Sequence, residues 1–210
     1  MMGDLHGCRW ARDRVALVML DAPPLFHSHM VTLDPEAVSA QMALVEAQAG
    51  RAGFGIKDGF SRLDLSSHGL RIGFEAEWIW AEGAGAADVT GWERVDTPAR
   101  LATFNAAWAA ADEVTVEQFP EPVLARGDVA LWGRRAGMGY DAGGIANLSD
   151  ECVGLSNIFG DGAFAPVAAL AGGFSPGLPL TGYERGDDLA AAKGAGFETV
   201  GRLRVWFPGG

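Results

Sequence analysis

Cysteine is nearly absent from this chain. Cys8 and Cys152 are the only two in 210 residues, which excludes a disulfide scaffold and a four-thiolate zinc site. Both read as reduced thiols of a cytoplasmic protein. Basic residues are also few, 16 against 27 acids, for a net charge of −11 at pH 7. A surface that acidic repels phosphate backbones. Nucleic acid is therefore not an expected partner, since the only basic concentrations are Arg9 to Arg14 and Arg134-Arg135. Long apolar runs are missing too. Val15 to Leu20 is among the longest, far short of the roughly 18 residues a spanning helix needs, so no membrane partner is expected. The first residues carry Asp4 and Asp13 and show no apolar stretch with a small-residue cleavage site, so they do not read as a signal peptide.

Apolar material is plentiful. It makes up 49% of the chain, with 7 Trp and 11 Phe, enough for one large domain or two small ones and too much for disorder. So many large aromatics are also compatible with a homodimer.

The hydrophobic pattern divides the chain into four parts: an extension over 1–24, an α/β unit over 25–81, a small-residue linker over 82–91, and a larger unit over 92–210. Val15 to Leu20 is strand or helical turn. Leu25 to Leu33 alternates as a strand. Asp34-Pro35 opens a helix, the acid as N-cap and the proline at the first position, running from Ala37 to Ala49. Phe60 to Leu65 and Leu70 to Trp80 alternate around Ser66-Ser67-His68-Gly69, and so predict a hairpin. In its second arm Leu70, Ile72, Phe74, Ala76, Trp78 and Trp80 share the apolar face, opposite Arg71, Glu75 and Glu77.

The larger unit begins with a strand at Trp92 to Val95 and a helix opened by Thr97-Pro98, reaching about Ala110. Strands follow at Val123 to Arg134, Gly139 to Asn147 and Glu151 to Phe159. A weak helix covers Ala163 to Ala171, a strand Leu178 to Tyr183, a helix Asp187 to Gly194, and a terminal strand or hairpin Phe197 to Phe207. The fold class is thus α+β. The two units share the order strand, helix, strand, strand.

The closing stretch, Ala192-Lys-Gly-Ala-Gly-Phe197 and on to Gly201-Arg-Leu-Arg-Val-Trp206, resembles the end of the GNAT superfamily of acyl-CoA-dependent N-acetyltransferases. There, a helix after the fifth strand ends in a Gly-Phe turn before the final strands. By element order the resemblance covers about 91 to 210, and half of a second such domain would fit the residues before it. It implies a GNAT-like mixed sheet flanked by helices, acetyl-CoA as cofactor and a small-molecule amine as acceptor.

The family holds the coenzyme pyrophosphate on an Arg/Gln-x-x-Gly-x-Gly/Ala loop at a helix start, where amides and the helix dipole favour an anion. The matching residues are Asn157-Ile-Phe-Gly160-Asp161-Gly162-Ala163. The glycines keep their spacing, but the leading Arg or Gln is absent. Asp161 adds a negative charge, which at about 4 Å from a phosphate costs roughly 4 kcal/mol at an effective dielectric near 20. The family's acid, a tyrosine in the following helix, is replaced by Ala192, and an upstream asparagine by Arg185.

The resemblance then implies that Leu155, Ser156 and Asn157 pair with the pantetheine arm, and that Gly160, Gly162 and Ala163 hold the pyrophosphate. Tyr183 is the candidate to protonate the thiolate, and Glu75 or Glu77 to take the amine proton. The alternative is a catalytically silent GNAT-fold module that binds a small ligand or a protein partner in a cleft between the units.

Other groupings are weaker. His27-x-His29 with His68 and Asp58 or Asp64 does not assemble the converging ligands zinc needs, so no metal is expected. Cys152 has no nearby histidine as partner base. Glu75 and Glu77 also fit a solvated strand face, and Tyr183 fits a core edge.

Overall fold

A computed structural model describes residues 2–48 and 50–209. Its contacts form two compact units, Met1–Glu77 with Gly201–Gly210, and Trp78–Val200.

In the first unit a short helix α1 (Met2–Leu5) precedes β1 (Trp10–Arg12), β2 (Ala16–Met19) and β3 (Met30–Thr32), which pair antiparallel in order. Helix α2 (Val38–Ala47) crosses over to β4 (Ile56–Asp58), parallel to β3 with Met30 opposite Ile56. The first half of β5 (Leu70–Ala81) and the end of β11 (Glu198–Pro208) complete this sheet, β11 running antiparallel to β4. The core gathers Met30, Val45, Ile56, Leu63, Leu65 and Trp206.

Several expectations change here. Val15 to Leu20 resolves as strand β2. Only Met30–Thr32 of the expected 25–33 strand is extended. Pro23-Pro24 removes two ladder donors, and Phe26 at φ +63° turns the chain. His27 and His29 therefore lie in a loop ahead of β3. Asp34 does not cap the helix. Its Oδ1 accepts from Glu36 N at 2.9 Å, closing a turn, and the helix starts at Val38. Its far end was expected at Ala49, which lies outside the described residues.

The hairpin's first arm is not a strand. Asp58, fully buried, accepts from Leu63 N at 2.8 Å and Phe60 N at 3.4 Å, and winds 58–63 into a loop. Alternation imitated a strand because Leu63 and Leu65 enter the core from that loop and the turn after it. In β5 the buried face switches: Leu70 and Ala76 are buried in the first half, then Ile79 and Ala81 on the opposite face, leaving Ile72 exposed.

The second unit begins with the end of β5. Then come β6 (Trp92–Arg94), α3 (Pro98–Ala111), β7 (Val129–Ala136), β8 (Gly139–Leu148), β9 (Val153–Phe159), α4 (Phe164–Phe174), β10 (Leu180–Glu184), α5 (Gly186–Gly194) and the start of β11. Thr97 caps α3 as read, accepting from Arg100 N at 3.3 Å, with Pro98 behind it. The expected strand from Val123 is shortened because Pro120 and Pro122 set a 3₁₀ turn over Glu121–Ala125. The closing segment is a single strand, not a hairpin. Strands β6 to β9 form an antiparallel meander; α4 then crosses to β10, parallel to β9. Beyond β10 lies β5, where Thr181 Oγ1 donates to Ile79 O at 3.0 Å. Ile79, Ala130, Val153, Val167, Leu180 and Phe197 make the core under α4 and α5.

Asp58 organises the loop that closes the first unit's core. Asp58→Ala leaves the buried Leu63 and Thr32 donors unpaired, and a loss of about 2–4 kcal/mol is expected. Urea denaturation of the two proteins measures it.

Candidate functional site

Strand β9 carries the irregularity on which the site is built. Gly143 of β8 faces Phe159, but Ile145 faces Ser156, so three steps on β9 match two on β8. That is a bulge, and Asn157 sits in it at φ +52°. A bulge unpairs backbone groups of its strand and bends it. The parallel ladder to β10 registers only Val153 with Leu180 and Gly154 with Thr181, so Leu155 to Phe159 run on past the registered pairs.

The chain then turns sharply. Gly160 has φ +87°, and a Cβ there would lie 2.2 Å from Asp141 O and 2.6 Å from Ala142 Cα. No side chain fits in that space. Gly162 (φ +66°) completes the turn, with Ala163 N bonded to Gly160 O at 3.2 Å. Helix α4 starts at once, and no side chain caps it. The amides of Phe164 and Ala165 have no intrahelical acceptor, and Pro166, with no N–H, leaves none to satisfy. These donors and the helix dipole make an anion-favouring end.

They open into a cleft of about 230 Å³. One wall is Ile158, Phe159, Gly160, Gly162, Ala163, Phe164 and Ala165; the other is Glu184, Asp188, Ala191, Gly194 and Ala195. The residues read from sequence as cofactor-binding are thus neighbours in space. Gly160, Gly162 and Ala163 line the cleft, and Leu155, Ser156 and Asn157 lead into it along β9. Asp161 is exposed and is not among the lining residues. Its carbonyl accepts from Arg134 Nη1 at 3.1 Å, and Arg134 Nε also donates to Asp141 at 2.7 Å. A guanidinium from β7 therefore stands at a loop whose own motif lacks one.

Tyr183 meets Trp78 edge-on, ring centroids 5.5 Å apart. By strand alternation its neighbour Glu184 points the other way, into the cleft. Burial, seconded by the charge of Asp188, pushes the Glu184 carboxyl up to about 7. Neither a cation nor a hydrogen-bond donor offsets that burial among the described residues. Sequence reasoning missed Glu184; its only signal was its place at the end of β10, since its burial comes from the facing helix. Ala192 is wholly buried in the core, so it puts nothing into the cleft. Glu75 belongs to the first unit, and Arg204 Nη2 holds it at 2.7 Å. Glu77 is in that unit as well. His29 accepts from Gly55 N at 3.3 Å and packs against Phe54. Among the described residues no group of three or more His, Cys, Asp or Glu converges as a metal site, and no helix is long and apolar enough to cross a membrane.

No protein-family model matches the chain, and no curated protein sequence matches it. Solved structures do. A GCN5-related N-acetyltransferase from Kribbella flavida superposes with a TM-score of 0.63 at 18% identity, over 97% of this chain and 90% of that one. The fold is that of the GCN5-related N-acetyltransferases. An acetyltransferase of the GNAT family from Colwellia psychrerythraea gives 0.56 at 15% identity, over 92% of this chain and 81% of its own. A tandem GNAT protein of the clavulanic acid biosynthesis pathway gives 0.53 at 12%, over 93% and 79%. At these identities the GNAT likeness is one of fold. It spans nearly the whole chain, where the sequence resemblance reached only the part from about 91.

Two measurements test this geometry. Gly160→Ala is expected to cost several kcal/mol, because a methyl would run into the backbone of Asp141 and Ala142. Gly162→Ala, with open space around it, should cost only about 1 kcal/mol for its left-handed backbone. Glu184 gives a pH signature. Its carboxyl holds a proton more tightly when folded, so the stability this group contributes is fully present below the ordinary carboxylate range and is lost as pH rises through about 7. After allowance for partial exposure, the loss is on the order of 1–2 kcal/mol. Glu184→Gln should remove that slope in melts taken from pH 4 to 8.

Proposed function

We propose that the second unit binds an acyl-coenzyme A and transfers its acyl group to a small-molecule amine. The observation that carries this is the bulged β9 leading through Gly160 and Gly162 onto the uncapped start of α4, all on one cleft. When bound, the coenzyme supplies an activated thioester. The amides of Gly162, Phe164 and Ala165 suit its pyrophosphate, with Gly160 and Ala163 shaping the turn that aims them. Arg134 offsets the charge of Asp161. Leu155, Ser156 and Asn157 offer strand-edge groups to the pantetheine arm.

The proton on Glu184 decides whether the cleft accepts an anion. Protonated, it is a neutral donor on the wall facing the amides. Ionised, it joins Asp188 in repelling phosphate. Glu184 faces the phosphate-binding amides, so its place is at the pyrophosphate end of the coenzyme. Tyr183, packed on Trp78, stays the candidate for the thiolate's proton. Glu75, engaged by Arg204, is poorly suited to take the amine proton.

We infer also that the first unit is half of a second GNAT-like domain. It repeats β8–β9–α4–β10 as β2–β3–α2–β4, with the same antiparallel step and parallel crossover. The likeness to a tandem GNAT protein supports this.

The deciding experiment is a thermal melt with acetyl-CoA. At about 100 times the dissociation constant, a ligand adds roughly 2.7 kcal/mol, or about 5–10 °C for a chain of this size. A shift of that order supports the reading, and no shift at millimolar coenzyme refutes it in favour of a silent GNAT-fold module. Calorimetry at several pH values should show affinity weakening between pH 6 and 8. In Glu184→Gln that dependence should flatten, with tighter binding at pH 8.

A further inference from the structure

A second groove lies at the other end of α4. Arg94, on the edge strand β6, is directly opposite Trp132 of β7. Its guanidinium carbon is 5.2 Å from the centre of the Trp132 ring and 5.1 Å from that of Phe174, at the end of α4. The two rings meet nearly at right angles, centroids 6.0 Å apart. The cation is thus held in an aromatic corner. Nη2 donates to Val129 O at 2.7 Å. Among the described residues this is the only hydrogen bond the guanidinium makes, and it has no ion pair. The acid whose charge acts on it, Asp96, is engaged by Arg100 at 2.7 Å.

Arg94 is half-buried, and an arginine drawn partly out of water ordinarily finds an acid. Burial lowers the affinity of Arg94 for its proton, the sign of a cation short of compensating charge. An open groove of about 580 Å³ adjoins it, lined by Val89, Leu170, Gly173 and Phe174 together with Arg94 and Trp132. Gly173 has nothing within 4 Å of where a Cβ would stand, so the groove is clear along the helix. The wall at Val89 belongs to the small-residue stretch 82–91, outside the cleft already described.

We propose that this groove binds a small molecule bearing one carboxylate on an apolar body. The carboxylate pairs with the free edge of Arg94, and the apolar body lies along Leu170, Gly173 and Val89. Guanidinium geometry favours a carboxylate, because its planar fork offers paired N–H donors. The site is independent of the coenzyme reading. A protein that never binds coenzyme A could still use it.

The test is calorimetry of the full chain with 4-phenylbutyrate and its uncharged match, 4-phenylbutanol. Expected is one site for the acid at sub-millimolar affinity, with the alcohol at least about tenfold weaker. Backbone amide shifts on adding the acid should centre on Val89, Arg94, Leu170 and Phe174. Arg94→Gln should weaken the acid at least about tenfold and leave the alcohol unchanged, and Arg94→Lys should fall between. Equal binding of acid and alcohol, no binding of the acid at millimolar concentration, or shifts centred elsewhere overturns the proposal. The acid–alcohol comparison uses the unaltered protein, so it decides the matter even if a variant fails to fold.

Discussion

The approach of Gly160 to the backbone of Asp141 and Ala142 is the constraint on which the second unit's site rests. Two backbone segments meet where any side chain would separate them. That contact ends β9 abruptly and starts α4 within four residues. The bulge at Asn157 lies three residues before Gly160, on β9. A strand that stayed paired to its end would offer no free backbone, and a longer connection would not aim the amides at the facing helix. A single residue without a side chain joins strand irregularity to helix terminus.

Charge then decides what this arrangement can hold. The amide wall is neutral and favours anions. The facing wall carries Glu184 and Asp188, and a third carboxylate, Asp161, is turned out of the cleft at a loop where Arg134 stands. The site is therefore balanced by one proton on Glu184. That balance follows from burial: among the described residues the carboxyl meets no cation, so it stays neutral into a range where exposed glutamates are fully ionised. At the other end of α4 the problem is inverted. Among the described residues Arg94 is a cation with no ion pair, steadied by two rings and one carbonyl.

Both units solve the same packing problem. A strand, an antiparallel neighbour, a crossover helix and a parallel strand recur in each, and the apolar side of the helix covers the sheet in both. The first unit's version is smaller, and its core is closed by the loop wound around Asp58. That buried carboxylate collects donors that the strand expected over 60–65 would have spent on a ladder.

What the sequence alone determined was local. Thr97-Pro98 at a helix start, the order of elements from Trp92 onward and the Gly-x-Gly spacing at 160–162 all follow from neighbours in the chain, and all are present in the structure. What misled was also local. The alternation at 60–65 and Asp34-Pro35 carry the signals of a strand and a cap, but each is overridden by a carboxylate bonding to backbone a few residues on. The bulge at Asn157, the burial of Glu184 and the aromatic corner around Arg94 were decided by tertiary structure. Each depends on segments far apart in sequence, β8 against β9, α5 against β10, and β6 with β7 and α4. No pattern in one segment records what another will press against it.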